Sequence, residues 1–182
     1  VDGWVLENSM RSYRVLKDKK SALTDKIFSI NLSGPSLIDD TLVDTILYYL
    51  HKYSLNASDF CFEITETAAI QNLAYAARFI NSLKSKGFTF ALDDFGAGFS
   101  SFGYLRNLPV DYVKIDGSFV QNVAESNISY AMVDSINSVG HVMGLATIAE
   151  FVGSEAIKNK LEELEVDYGQ GYYFSKPLPL FE

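Results

Sequence analysis

Residues 89–101 read TFALDDFGAGFSS, an apolar run that ends in two adjacent aspartates and continues into a loop of small residues. TFALDD has the composition of a short β-strand, and Gly-Ala-Gly permits a sharp loop after it. Similar β-rich runs alternate with helical patterns along the chain, which is typical of βα units around a parallel sheet. Six runs are predicted as strands: IFSINLS (27–33), FCFEIT (60–65), TFALDD (89–94), YVKID (112–116), LATIAE (145–150) and GQGYYF (169–174).

The segments between these strands carry apolar residues at helical spacing. An opening helix is predicted over 4–17, and the later helices are marked by Leu42, Ile46 and Leu50, by Ile70, Leu73, Ala77 and Ile80, by Ile128, Met132, Ile136 and Val139, and by Ile157, Leu161 and Leu164. Gly87 is predicted to end the second of these later helices, and Ser154 to cap the last. The strands recur every 20 to 36 residues or so, close to the roughly 31 residues per unit of an eight-unit barrel. This favours an α/β fold, a TIM-like (β/α)8 barrel with about six of its eight units in this chain, over an open doubly wound sheet.

Composition limits what the chain can be. Its 182 residues are 48% hydrophobic and contain no low-complexity linker, so one domain over 1–182 is expected. A formal net charge of −8 argues against binding a nucleic-acid polymer. No apolar run approaches the roughly 20 residues of a membrane span and no export signal is visible, so we expect a cytoplasmic segment without membrane contact. The single cysteine, Cys61, is predicted to be a buried filler.

Polar side chains follow the predicted strands where each one ends: Asn31, Glu63, Asp93, Asp94, Lys114, Glu150 and Gln170. Any one of them could be an ordinary strand-end or rim residue, but the carboxyl ends of barrel strands meet on one face, where active sites form. Several carboxylates aimed at one mouth require cations, and oxygen ligands suit Mg²⁺ or Mn²⁺. Adjacent aspartates can serve two ions, which suits phosphoester displacement, with Lys114 beside the water or the developing charge.

Six motifs occur in the order SINLS, FEITE, LDDFGAGFSS, LPVDYVKID, TIAE and QGYYFSKPLP. In these motifs the chain resembles the EAL domains, phosphodiesterases of the bacterial second messenger cyclic di-GMP. The resemblance implies a modified (β/α)8 barrel that uses two Mg²⁺ or Mn²⁺ ions to hydrolyse cyclic di-GMP to linear pGpG. It also implies a homodimer, formed through the loop after the aspartate pair and its neighbouring helix, and an attached GGDEF or sensory domain.

The resemblance assigns a role to each matching residue. The implied metal ligands are Asn31, Glu63, Asp93, Asp94 and Glu150. Lys114 resembles the lysine that contacts the attacking water, and Lys114 and Glu150 are the implied catalytic residues. Gln170 resembles the glutamine that binds substrate, and Glu66 the residue that anchors the loop 95–101.

The chain departs from the family pattern in three places. The glutamate- and arginine-bearing EAL segment is absent, so we expect the N-terminal units of the barrel to be missing from this chain. AEFVGSEA stands where the family reads AEGVE, which puts Phe151 in place of a glycine and Gly153 in place of a glutamate. The third departure is milder: Ala97 and Phe99 stand where the family loop commonly has Thr and Tyr. Two main hypotheses follow: a metal-dependent phosphodiesterase, and a catalytically silent domain that binds cyclic di-GMP or dimerises. A magnesium barrel enzyme of the enolase type is a third.

Overall fold

A computed structural model of the chain describes residues 2–19, 26–97 and 102–179. The strands are β1 (Phe28–Leu32), β2 (Phe60–Thr65), β3 (Thr89–Phe95), β4 (Tyr112–Ile115), β5 (Ala146–Ala149) and β6 (Tyr168–Gly169). The helices are α1 (Asp2–Asp18), α2 (Leu42–Lys52), α3 (Glu66–Gln71), α4 (Leu73–Lys84), α5 (Gly117–Val120), α6 (Asn127–Val142) and α7 (Glu155–Glu163). The predicted alternation of strands and helices is therefore confirmed. Within the described ranges, no helix combines the length and the apolar character that a membrane span requires.

The chain forms two compact units. The first contains Val1–Ala91 and Asn107–Pro109, and the second contains Leu92–Arg106 and Val110–Glu182. Strand β3 contributes its first three residues to the first unit and its last four to the second. A single domain over 1–182 stays a prediction.

In the first unit, β1 and β2 pair in parallel, with Phe28 opposite Phe60 and Leu32 opposite Ile64. The first five residues of β2 are buried, as expected of a parallel strand covered on both faces. Helix α1 places the ring of Tyr13 against Phe60, with the ring centroids 5.1 Å apart. Cys61 is buried in this core, which confirms the prediction made for it.

In the second unit, the strands follow the order β3, β4, β5, β6. Strand β4 pairs in parallel with β5, from Tyr112 opposite Ala146 to Ile115 opposite Ala149, and β5 pairs in parallel with β6. Helix α6 packs on β4 and β5. Ser154 caps α7 as predicted, because its hydroxyl accepts a hydrogen bond from the Ile157 N–H at 3.3 Å.

The prediction of one continuous helix through Ile70 and Ile80 is wrong, because the helix is interrupted at Asn72. Asn72 adopts a non-helical conformation (φ −139°, ψ 49°) between α3 and α4, and its carbonyl accepts the first helical hydrogen bond of α4 from Ala76. Asparagine is disfavoured in helix interiors because its side chain competes for the hydrogen bonds of nearby backbone groups. After α4, Gly87 takes a positive φ of 100° and donates to the Lys84 carbonyl, in keeping with its predicted role at the helix end.

The sixth strand is much shorter than predicted. Only Tyr168 and Gly169 are in β6, and the chain then turns, with the Phe174 N–H donating to the Gly171 carbonyl. Gly171 approaches the backbone of Val152 so closely that a Cβ atom there would lie 2.8 Å from the Val152 carbonyl carbon. The aromatic run YYF favoured a strand in the sequence, but this close contact fixes a turn.

Candidate metal centre

The two adjacent aspartates reach the same place because the backbone turns between them. Asp94 adopts a left-handed conformation with φ 56°, which interrupts the alternation of side chains along β3. Aspartate is one of the few residues other than glycine that tolerates this region. Asp93 supports the turn, since its Oδ1 accepts a hydrogen bond from the Asp94 N–H at 3.1 Å.

Asp93, Asp94 and Glu150 form one acidic cluster. Glu150 follows β5, and each of the three residues offers a carboxylate oxygen that lies within 4.8 Å of the other two. Lys114, on β4 and only 3% exposed, bridges two of them, because its Nζ lies 2.9 Å from Asp93 Oδ1 and 2.9 Å from Glu150 Oε1. The ends of three neighbouring strands thus bring four of the predicted site residues together.

The acidic cluster carries more negative charge than Lys114 balances. Partial burial raises the pKa of Asp94, and the nearby charges of Asp93 and Asp116 raise it further. Burial likewise raises the pKa of Glu150, although Lys114 acts in the opposite direction. Three carboxylates and one ammonium group leave a formal deficit of two positive charges, so a cation is electrostatically favoured here.

Two other predicted ligands lie in the first unit. Asn31 on β1 stands in register with Glu63 on β2, so their side chains share one face of the parallel pair. Glu63 is buried and Asn31 is exposed. Their role as metal ligands stays a prediction.

Glu66, the predicted loop anchor, is buried at the start of α3. The preceding Thr65 caps this helix by accepting a hydrogen bond from the Ala68 N–H at 3.4 Å. Most of the loop it is predicted to anchor, residues 98–101 with Phe99, lies outside the described residues.

A cavity of about 470 Å³ opens beside Glu150 within the second unit. Its lining residues are Gln121, Glu150, Phe151, Gly153, Gln170, Gly171 and Tyr172. Gln170, predicted to bind substrate, is held there by backbone hydrogen bonds: its N–H donates to the Ala149 carbonyl and its carbonyl accepts from Val152. Such a volume falls in the usual range of small-molecule sites.

Three residues at this place were not singled out from the sequence. Asp116 caps α5 through a 2.9 Å hydrogen bond from the Ser118 N–H and adds negative charge near Asp94. Gln121 and Tyr172 line the cavity. Asp116 ends the predicted strand YVKID and could have been found by the same strand-end rule. Gln121 follows a four-residue helix that has no periodic signal, and Tyr172 was assigned to a strand.

Among curated proteins, the chain is similar to bacterial proteins named as cyclic di-GMP phosphodiesterases. It is 49% identical over 156 residues to the cyclic di-GMP phosphodiesterase PdeB of Shewanella oneidensis, an alignment that covers 86% of this chain and 18% of PdeB. It is 39% identical over 184 residues to the cyclic di-GMP phosphodiesterase PdeA of Borreliella burgdorferi, covering 99% of this chain and 26% of PdeA. The chain thus spans about a quarter or less of the length of these relatives.

Among solved structures, the chain is similar in fold to EAL-type proteins. The PaMucR phosphodiesterase in complex with c-di-GMP superposes with a TM-score of 0.89 at 32% identity, covering 97% of this chain and 71% of that one. The EAL domain of Mycobacterium smegmatis DcpA gives a TM-score of 0.90 at 28% identity, covering 96% and 78%. The predicted fold class, α/β of the TIM-like EAL type, is confirmed. Because the EAL domain family also matches residues 1–177, this chain belongs to the EAL domain family.

Proposed function

We propose that this chain supplies the metal-binding part of a phosphodiesterase that hydrolyses cyclic di-GMP to linear pGpG. The observation that carries the proposal is the acidic cluster of Asp93, Asp94 and Glu150 with Lys114 held between two of its members. A lysine buried among carboxylates at the ends of parallel strands suits phosphoryl chemistry, in which charge is handled at a fixed position.

The donor atoms fit a hard divalent ion. All three ligand groups are carboxylates, and the charge deficit of the acidic cluster matches one divalent cation. Mg²⁺ or Mn²⁺ is the expected ion, held by Asp93, Asp94 and Glu150, with Asn31 and Glu63 proposed as further ligands of a two-ion site. When bound, the ions supply positive charge that polarises the phosphate oxygens and favours attack by water.

The chain's own residues then have distinct tasks. Lys114 Nζ is oriented by Asp93 and Glu150, so it can donate a hydrogen bond to the attacking water or to a phosphate oxygen. In the overall reaction, the water oxygen forms a bond to phosphorus, the bond from phosphorus to the ribose 3′ oxygen breaks, and that oxygen takes up a proton. Gln170 lines the same cavity as Glu150, where its side chain is proposed to contact the dinucleotide.

The decisive experiment incubates the natural gene product with cyclic di-GMP and Mg²⁺ or Mn²⁺ and measures pGpG by chromatography. Asp93→Asn and Lys114→Met are expected to lower the rate at least about 100-fold, in the range found when one transition-state charge partner is removed. Asp134→Asn is the matched control, because Asp134 is an exposed aspartate on α6 outside the acidic cluster.

Circular dichroism of each variant distinguishes lost chemistry from lost folding. Removing Lys114 leaves neighbouring carboxylates unbalanced, so the Lys114→Met spectrum is compared with that of the parent protein before its rate is interpreted. A parent protein that binds cyclic di-GMP without forming pGpG contradicts the hydrolytic proposal.

A silent receptor is the second candidate function, and Gly153 is the observation that favours it. Gly153 stands where the resemblance implies a glutamate, and it lines the cavity. Among the described residues other than its chain neighbours, a Cβ built on Gly153 would have one atom within 4 Å, the Phe151 carbonyl oxygen. The site therefore lacks one carboxylate and has room for it. Gly153→Glu is expected to create or raise pGpG formation if this carboxylate is what limits turnover.

Self-association and an accompanying GGDEF or sensory domain are further proposals for the whole protein. Helix α6 supports self-association, because Ile128, Met132 and Val142 lie on one face of it and all are exposed. Light scattering of the natural gene product is expected to give the mass of a dimer, and Ile128→Asp to shift that mass towards the monomer.

A further inference from the structure

Phe151 occupies an unusual backbone position next to the acidic cluster. It directly follows Glu150 and has a left-handed φ of 53°, a conformation that glycine adopts freely and a phenylalanine rarely does. A strained residue of this kind persists only where the surroundings hold it.

Gly117 holds the ring in place. A Cβ atom on Gly117 would lie 2.8 Å from Cγ and 3.0 Å from Cε2 of Phe151, so the ring packs directly on the glycine at the start of α5. Despite this contact, Phe151 is 61% exposed and borders the cavity. The ring is therefore positioned in advance and still accessible to a ligand, which lowers the entropic cost of stacking on it.

The rest of the cavity wall complements a flat, polar-edged ring. Tyr172 adds a second exposed aromatic side chain, and Gln121 and Gln170 add two carboxamides. Each carboxamide offers both hydrogen-bond donors and an acceptor. Aromatic faces together with carboxamides are what recognises a nucleobase, through stacking on its face and hydrogen bonds to its edge.

We propose that Phe151 is a substrate-positioning residue, whose ring stacks on one guanine base of the dinucleotide in the cavity beside Glu150. This inference rests on the proposed function, since it assigns part of the same substrate. Phe151 does not touch the reacting phosphate, so its ring affects binding far more than the chemical step. The acidic cluster takes the phosphate and the cavity takes the base.

The test measures the dissociation constant of cyclic di-GMP by calorimetry and, where pGpG forms, KM and kcat. Phe151→Gly suits the left-handed backbone at this position, so it is expected to fold. Loss of one stacked base is expected to raise Kd or KM between about 5-fold and about 150-fold, with kcat changed less than about threefold. Phe151→Tyr keeps a ring and is expected to stay near the parent value. Tyr48→Ala is the control for loss of an exposed aromatic, since Tyr48 is 60% exposed on α2 and does not line the cavity.

A double-mutant cycle separates stacking from a local structural effect. Gly117→Ala places a methyl group where the Phe151 ring lies, so it is expected to displace the ring and weaken binding in the parent protein. In the Phe151→Gly background there is no ring to displace, and the same substitution is expected to change binding less than about twofold. An equal loss in both backgrounds would show that the Gly117 effect does not act through the ring and would overturn the assignment.

The outcomes also separate this inference from the proposed function. A parent protein that binds cyclic di-GMP while Phe151→Gly binds it equally well overturns the stacking assignment alone. A parent protein that neither binds nor hydrolyses the dinucleotide overturns the proposed function and the assignment together.

Discussion

At the scale of single residues, the site is shaped by backbone conformations that few side chains accept. Asp94 and Phe151 both have a positive φ, and both lie where a strand of the second unit ends beside the acidic cluster. The backbone turn at Asp94 brings its carboxylate into the acidic cluster beside that of Asp93, and the conformation of Phe151 presents an exposed ring. Left-handed conformations cost roughly 1–2 kcal/mol each for residues with a side chain, so both are expected to persist because of function.

Gly171 is required for a different reason. There is no space for a side chain at this position, and its φ is not one that favours glycine. A methyl group on Gly171 would overlap the backbone of Val152, which cannot move aside like a flexible side chain. Gly171→Ala is expected to lower the free energy of unfolding by about 3 kcal/mol in urea denaturation, the upper range for overpacking. Gly3→Ala is the control: Gly3 is in α1, and outside its own helix no described residue has an atom within 4 Å of its Cβ position, so a small gain in stability is expected there. Equal effects at the two glycines would contradict the packing argument.

At the scale of elements, the sequence predicts a fully buried strand better than it predicts the buried face of a helix. The predicted strand 60–65 coincides with β2, because a buried parallel strand is a continuous apolar run with clear ends. The predicted buried face of α6 is wrong at its start: Ile128 is 78% exposed, and the buried residues are Ser129, Val133, Ile136, Asn137 and Gly140. Polar residues can line the inner face because partners in the fold satisfy them, and a periodicity count cannot see those partners.

The same distinction applies to the metal site. Strand-end position alone predicts Asp93, Lys114 and Glu150, since neighbouring parallel strands bring such positions together. The turn at Asp94 and the packing of Phe151 on Gly117 depend on φ angles and on contacts between distant residues. Neither follows from local sequence patterns.

A buried polar network joins α6 to β5, and the loss of stability on breaking it can be predicted. The Thr147 hydroxyl donates to Asn137, and the Asn137 side chain donates to the Leu164 carbonyl at 2.7 Å. Thr147→Val leaves the buried Asn137 oxygen without this donor and is expected to cost about 1–3 kcal/mol of unfolding free energy. Ser135→Ala removes an exposed hydroxyl of α6 that donates to the Ala131 carbonyl of its own helix, and we expect a change below about 0.5 kcal/mol. Thermal denaturation that ranks Ser135→Ala as the more damaging change would contradict this account.

Asp167 gives the network a predicted pH dependence. Burial raises its pKa, but hydrogen bonds from the Thr147 N–H and from His141 outweigh burial and lower the pKa below the ordinary value of 3.8. A carboxylate with a lowered folded-state pKa stabilises the fold above its unfolded-state pKa, and this stability is lost as the pH falls through the folded-state value. Asp167→Asn is therefore expected to be less stable than the parent at pH 7, by about 1 kcal/mol for a partly exposed group. The two proteins should converge below about pH 3.8, and a gap that widens in acid would refute the assignment.

At the scale of the whole molecule, this acidic chain concentrates part of its negative charge at the proposed metal site. The formal net charge is −8, and the acidic cluster alone holds three carboxylates against one lysine. The family match extends over residues 1–177, while the curated relatives are several times longer than this chain. The acidic cluster proposed to hold the metal lies within the described residues of this chain, so the proposal can be tested on this chain alone.

Divalent ions are expected to stabilise the protein through the acidic cluster. An ion that binds only the folded state at 100 times its Kd adds about 2.7 kcal/mol, which corresponds to a rise in Tm of about 5–10 °C for a chain of this size. Mg²⁺ or Mn²⁺ should produce this rise in the parent protein and in Asp134→Asn, and EDTA should reverse it. Asp94→Asn should abolish the rise, since it removes a ligand while keeping a side chain that tolerates the left-handed φ of 56°.

Without ions, the same variant is expected to behave in the opposite way. The raised pKa of Asp94 means that its charged form is disfavoured in the folded protein, through burial and the charges of Asp93 and Asp116. Neutral asparagine removes that penalty, so Asp94→Asn should melt a few degrees above the parent in EDTA and below it in Mg²⁺. This crossing of the two Tm values is specific to an acidic ion site, because a purely structural aspartate would lower Tm in both conditions when replaced. An equal ion-induced rise in Asp94→Asn and in the parent would place the ion elsewhere on the protein and refute the metal centre.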